Sequence, residues 1–345
     1  MTLHSEIFEQ PQRLAALLDH QKPVVLEIAE AIRSRDVQYA FLAARGTSDN
    51  AGRYANYLWG AHNGIPIALA APSLFTYYQS PPKLNNALVI GVSQSGQSPD
   101  IVSVLEEGRR QNCLTLAITN VPDSPLAQAA DFVLDIQAGS EKAVAATKTY
   151  TTELMSIAML SAALSNSEER WNELASVSKW AEQTLALDPQ IRQMAERYRY
   201  MSQCVVLGRG FNYATAFEWA LKLKELTYVI AEPYSSADFQ HGPMAVVESG
   251  FPVLAVVPNG KVHDSMMEML TRLRKKRDAE LVVISDNADA LALAQSPMRL
   301  PPHIPEWLTP LVGIIPAQLF ACHLTTVKGY DTDRPRNITK VTETH

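Results

Sequence analysis

Short apolar runs alternate with amphipathic stretches along the whole chain. Residues 39–44, 66–70, 87–93, 114–119 and 132–136 are runs of five to seven mostly apolar positions. Between them, 48–62, 99–111 and 150–164 carry apolar residues at helical spacing. Runs this short and this continuous are what strands buried on both faces look like. With helices between them they predict a parallel sheet covered on both sides, an α/β fold. The second half repeats the pattern, with strand-like 203–207, 253–257 and 281–285 and helix-like 213–228, 262–276 and 314–328. Residues 1–29 are expected to form an N-terminal helical segment and 167–200, rich in charge, a helical connector. That leaves domains at 30–166 and 201–330, and a polar tail at 331–345 expected to lie over the active site.

The two halves also align residue by residue. The run from Ala87 to Gly96 matches that from Phe251 to Gly260, with Val92 opposite Val256, an offset of 164 residues. Arg45-Gly46 and Arg209-Gly210 give the same offset independently. Two segments agreeing on one offset indicate a duplicated domain. The polar loop that ends the apolar strand is present in one copy only: Ser93-Gln94-Ser95-Gly96-Gln97-Ser98 against Val257-Pro258-Asn259-Gly260.

Bulk properties narrow the partners. At 345 residues there is length for two cores, and a net charge of −6 with a pI near 5.8 argues against nucleic acid or an anionic membrane. No run of about 18 apolar residues, the length needed to cross a bilayer, is evident, and residues 1–6 lack the pattern of a signal peptide. Cys113, Cys204 and Cys322 are scattered in apolar contexts, as expected of reduced thiols in a cytoplasmic protein. No second His or Cys stands at metal-ligand spacing, so no metal is expected.

The candidate chemistry starts at residues 93–98, where a buried strand gives way to a helix. Ser98 suits an N-cap, Pro99 the first helical position and Asp100 the first turn. Free helix N–H groups and three hydroxyls make an anion cradle, and Gly96 permits close backbone approach. The loop holds no Lys or Arg and the Walker pattern is absent, which favours one phosphate monoester over a nucleotide. Gly46, Thr47 and Ser48 follow the first strand and should lie beside it. The candidate phosphate ligands are thus Gly46, Thr47, Ser48, Ser93, Gln94, Ser95 and Ser98. A plain Ser-rich turn is the rival reading. A nucleophile elbow fails at its second glycine. Farther on, Glu218, Lys222 and Glu225 share one helix face at i, i+4 and i+7, which by itself reads equally as a solvated salt-bridged face.

Ser-Gln-Ser-Gly-x-Ser, the duplicated domain and these downstream segments resemble the sugar isomerase (SIS) family, and more closely the isomerase half of the glutamine–fructose-6-phosphate aminotransferases. The resemblance runs from about Ile7 to the C-terminus. It implies two tandem flavodoxin-like domains that bind fructose or glucosamine 6-phosphate without a cofactor, in a homodimer. It also implies residue roles. Glu225 would move the proton between C1 and C2 of the open-chain sugar, with Lys222 beside the substrate. His241, in His241-Gly242-Pro243, would open the ring, reaching the neighbouring subunit's active site. Lys340 would correspond to a lysine that forms an imine with the ketose, and Val144 to a backbone contact with sugar hydroxyls. Three departures bear on the reaction. Thr2 stands where the aminotransferases have a catalytic cysteine, and no glutaminase domain is expected here. Arg45 replaces a cysteine and Ala146 a serine. The expected activity is isomerising deamination of glucosamine 6-phosphate to fructose 6-phosphate and ammonia. Alternatives are a fructosamine-6-phosphate deglycase, a galactosamine-6-phosphate deaminase, and a non-catalytic sugar-phosphate sensor.

Overall fold

Each apolar run becomes a strand in the computed structural model, which describes residues 2–340. In the first half β1 (Tyr39–Ala43), β2 (Ile67–Leu69), β3 (Ala87–Ser93), β4 (Leu114–Thr119) and β5 (Phe132–Asp135) form one sheet, ordered β2-β1-β3-β4-β5. All its pairings are parallel. All seven residues of β3 are buried, as a central strand covered on both faces requires.

The second sheet has β6 (Gln203–Gly208), β7 (Ile230–Ser235), β8 (Pro252–Val256), β9 (Glu280–Ser285) and β10 (Ser296–Arg299), ordered β10-β9-β8-β6-β7 and again all parallel. Strand for strand this is the same flavodoxin-like topology. β5 and β10 begin at Phe132 and Ser296, again 164 residues apart. In each sheet the order reverses between the first and third strands, and open α/β sheets bind ligands at the carboxyl ends of the strands at that point.

β7 and β10 were not expected from the pattern. Both are edge strands, with Glu232 and Pro233 in one and Pro297 and Arg299 in the other. An edge strand needs neither two apolar faces nor every N–H, so it tolerates proline and charge.

The helix expected at 314–328 spans Thr309–Val327, opening with proline in its first turn. It is apolar all round because it is the core helix of the second unit. This corrects the expectation that no apolar run is long enough to cross a bilayer: the stretch Glu306–Val327 is long and apolar enough, but 83% of its most apolar window is buried inside the protein. Gln318 on this helix accepts from Gln10 Nε2 at 2.9 Å and donates to the Thr147 carbonyl at 3.2 Å.

The chain forms two compact units that are interleaved in sequence. One holds the first sheet with residues 12–141, 148–176 and 339–340. The other holds the second sheet with residues 2–11, 142–147 and 177–338. The segments 1–29, 167–200 and 331–340 are therefore each shared between units rather than assigned to one. In the second unit, His4 Nε2 and His323 Nε2 lie 2.9 and 2.7 Å from Asp188 Oδ1, joining three helices at one carboxylate. Burial would raise the Asp188 pKa, but the hydrogen bonds from both imidazoles outweigh it and hold the acid below its ordinary value. The three cysteines are buried and unpaired, and burial pushes the Cys204 and Cys322 thiols up to about 12.

Candidate phosphate cradle and acid–base cluster

The cradle lies in the first unit, between the end of β3 and the helix Pro99–Arg110. Ser93 is buried and accepts from the Gly96 N–H at 3.2 Å, and Ser95 Oγ accepts from the Gln97 N–H at 3.3 Å. Gly96 sits at φ +61°, and a Cβ there would meet Ser124 Oγ at 2.1 Å. Only glycine fits. The Gln94 carbonyl accepts from Asn120 N at 3.2 Å, which pins the turn to the end of β4. Ser98 occupies the N-cap position, yet its side chain makes no capping bond. Its hydroxyl is therefore not spent on its own helix, which suits a ligand better than the self-capped turn of the rival reading.

Pairing of Ala43 with Gly91 sets the loop after β1 level with the loop after β3. Gly46, at φ +53°, opens the helix Gly46–Asn63, and Thr47 is half-buried in its first turn. Ser48 departs from the expectation. Its hydroxyl donates to the buried Glu153 at 2.7 Å and its N–H goes to the Arg45 carbonyl at 3.1 Å. Ser48 braces the loop rather than offering a donor to a ligand. The loop 93–98 itself holds no basic side chain, but one stands beside it. Arg45 Nε and Nη2 reach Asp100 Oδ2 at 2.9 and 2.8 Å, so a guanidinium stands at the start of the cradle helix.

In the same unit Lys340 Nζ forms an ion pair with Glu141 Oε2 at 2.7 Å. The Glu141 side chain is fully buried, and also accepts from Thr149 N and Oγ1 at 3.1 and 2.9 Å. The Lys340 side chain, 23% exposed, is thus held against the buried carboxylate. The described residues stop at it, so residues 341–345 of the expected tail lie outside the description.

The second unit carries the acid–base cluster on the helix Tyr213–Thr227. Lys222 Nζ lies 3.3 Å from Glu218 Oε1 and 2.6 Å from Glu225 Oε2. The Glu218 and Lys222 side chains are 0% and 1% exposed, whereas Glu225 is 24% exposed. This excludes the solvated-face reading. The i, i+4 spacing here buries a cation between two carboxylates, one sealed and one open. Burial disfavours the Lys222 ammonium, but the two carboxylates outweigh it and its pKa lies above the ordinary value. Val144 is half-buried in the 142–147 segment of this unit, where the buried Glu6 carboxylate accepts from the Ala143 N–H at 3.2 Å. His241 is exposed after the short helix Ser236–Phe239, its N–H bonded to the Asp238 carbonyl at 3.0 Å.

The duplicate of the cradle, after β8, is filled by the chain itself. The Lys261 N–H donates to Glu306 Oε2 at 2.9 Å and the Asn259 N–H to Asp286 Oδ1 at 2.7 Å. A Cβ on Gly260 would meet the Glu306 carboxyl carbon at 2.2 Å. Side-chain carboxylates take the amides that a bound anion would otherwise take.

Sequence reasoning missed Glu141, Glu153 and the Arg45–Asp100 pair as parts of these sites. The Lys340–Glu141 pair joins residues 199 positions apart, and no local spacing signals it.

The model of the SIS domain matches twice, at residues 35–163 and 200–328. The glutamine–fructose-6-phosphate aminotransferase (isomerizing) of Thermococcus kodakarensis is 34% identical over 97% of this chain. The chain spans 56% of that relative's length. The C-terminal domain of glucosamine-fructose-6-phosphate aminotransferase from Francisella tularensis superposes with a TM-score of 0.85 at 28% identity, covering 96% of this chain and 98% of that one. Glucosamine-6-phosphate deaminase from Thermotoga maritima shares the fold, with a TM-score of 0.81 at 20% identity over 100% of both chains.

Proposed function

The chain belongs to the SIS domain family, and on that premise we propose that it is an isomerising deaminase converting glucosamine 6-phosphate and water to fructose 6-phosphate and ammonia. The reading assigns phosphate binding to the first unit, through Gly46, Thr47, Ser93, Gln94, Ser95 and Ser98. It assigns proton transfer to the second. The observation that carries it is the Glu218–Lys222–Glu225 cluster, in which a buried ammonium presents one partly open carboxylate. A base for carbon acids must be ionised yet able to accept a proton, and an adjacent cation secures the first condition.

In this mechanism His241 opens the ring by moving a proton from O1 to O5, which frees the C1 aldehyde. Glu225 takes the C2 proton while O1 gains one, giving an enolamine. The proton returns to C1, leaving an imine at C2. Water adds at C2, the C–N bond breaks, and ammonia leaves with the ketone in place. Lys340, paired with Glu141, is assigned as general acid at this stage, because an ion-paired ammonium is a donor before it is a nucleophile. Val144 contributes backbone contacts to the sugar hydroxyls. A homodimer with His241 acting on the neighbouring site is part of the proposal.

The test is ammonia release from glucosamine 6-phosphate, with fructose 6-phosphate measured by a coupled dehydrogenase. Equimolar products support the proposal. Products from galactosamine 6-phosphate or a fructosamine 6-phosphate instead would move the assignment to those substrates. Tight binding with no turnover of any of them would make the protein a sensor.

A further inference from the structure

Arg45 has two of its five N–H donors on Asp100 and about half of its side chain in solvent. Asp100 is 1% exposed and lies in the first turn of the helix Pro99–Arg110. Its other oxygen accepts from the Ile101 N–H at 2.9 Å, so the carboxylate is fixed to the helix end and fixes the guanidinium there. Strand register supplies the rest of the placement. Ala43 pairs with Gly91, so Arg45 and Ser93, each two residues further on, leave adjacent strands at the same level. The guanidinium therefore bridges the two loops that flank the switch point of the first sheet. An arginine needed only to neutralise Asp100 has no reason to keep three donors and half its surface open at that place.

We propose that Arg45 is the charge-reading residue of the phosphate cradle and selects the phosphate dianion. This rests on the phosphosugar reading above. Serine hydroxyls and backbone amides bind a monoanion and a dianion alike through hydrogen bonds, whereas a fixed cation favours the second charge. A phosphate monoester loses its second proton near pH 6, so the preference falls within an accessible range.

The experiment is calorimetric titration of fructose 6-phosphate, with unphosphorylated fructose as the control, between about pH 5 and pH 7.5. The variants are R45A and the paired R45A/D100N. The pair matters because R45A alone leaves a buried carboxylate without its partner, while the double variant leaves no orphan charge. The native protein should bind fructose 6-phosphate more tightly as the dianion forms. R45A/D100N, with its melting temperature retained, should bind about 10–100-fold more weakly at pH 7.5, and its affinity should barely change with pH. A purely structural role would move stability but not the pH profile. Binding by the folded double variant within twofold of native, with the same rise in affinity, overturns the proposal while leaving the phosphosugar reading intact. No binding of fructose 6-phosphate by the native protein overturns both.

Discussion

Replacing Lys222 with methionine isolates what the buried cation contributes. Methionine roughly conserves the volume of the stem, so no sizeable cavity opens. What is lost is the charge 3.3 Å from Glu218, whose side chain has no exposure to water. Removing one partner of a buried pair costs about 3–5 kcal/mol, because the other charge stays behind. Glu225, 24% exposed, retains water and suffers less. For a unit of this size the loss corresponds to a drop in melting temperature on the order of 10 °C. Neutralising the stranded acid should reverse most of it, so E218Q/K222M should melt well above K222M, with E218Q completing the cycle. The sign in pH follows from the raised pKa of Lys222. Its contribution is complete below the ordinary lysine value and is lost as pH rises through the higher folded value. The gap between native and K222M should therefore be flat from about pH 6 to 9 and narrow only in stronger alkali. Differential scanning calorimetry across that range is the assay. A loss below about 1 kcal/mol in K222M, or a double variant no more stable than the single one, refutes the reasoning.

Three further outcomes follow from the geometry. E225Q should abolish turnover of glucosamine 6-phosphate while leaving calorimetric affinity for fructose 6-phosphate within a few-fold; substantial residual turnover means another base. G96A should raise KM at least tenfold and cost roughly 1–3 kcal/mol, because the positive φ and the clash with Ser124 act together; a near-native KM would show that the turn is not the anchor. Asp188 is held below its ordinary pKa, so its contribution is present above that value and fades as pH falls through the lower folded one. The melting temperature of the native protein should thus fall more steeply than that of D188N below about pH 4.

Much of the fold was legible because burial on two faces leaves a plain mark. The central strands β3, β4 and β8 are nearly all apolar, and they were placed within a residue or two. The edge strands β7 and β10 escaped because one open side removes the constraint that writes the pattern. The cradle was legible for a related reason, since a turn between a buried strand and a helix uses local residues. Partners remote in sequence were not. Ser48 could not show that Glu153, 105 positions away, accepts its hydrogen bond, nor Arg45 that Asp100 holds it. The interleaving of the two units is invisible to periodicity, which reports neighbours along the chain and not the places where it crosses between cores.

The self-filled loop after β8 has a thermodynamic consequence. A loop whose amides are already taken by Glu306 and Asp286 gains nothing when phosphosugar is added. The cradle after β3, with the uncommitted hydroxyl of Ser98, gains the full linkage term, about 2.7 kcal/mol at a hundred times Kd. Duplication followed by plugging thus yields two halves with unequal debts to the ligand. Under the proposed function, one carries its anion from synthesis onward, and the other takes it from the substrate. With rising phosphosugar the melting temperature should climb through the cradle after β3, to which the filled loop after β8 adds nothing.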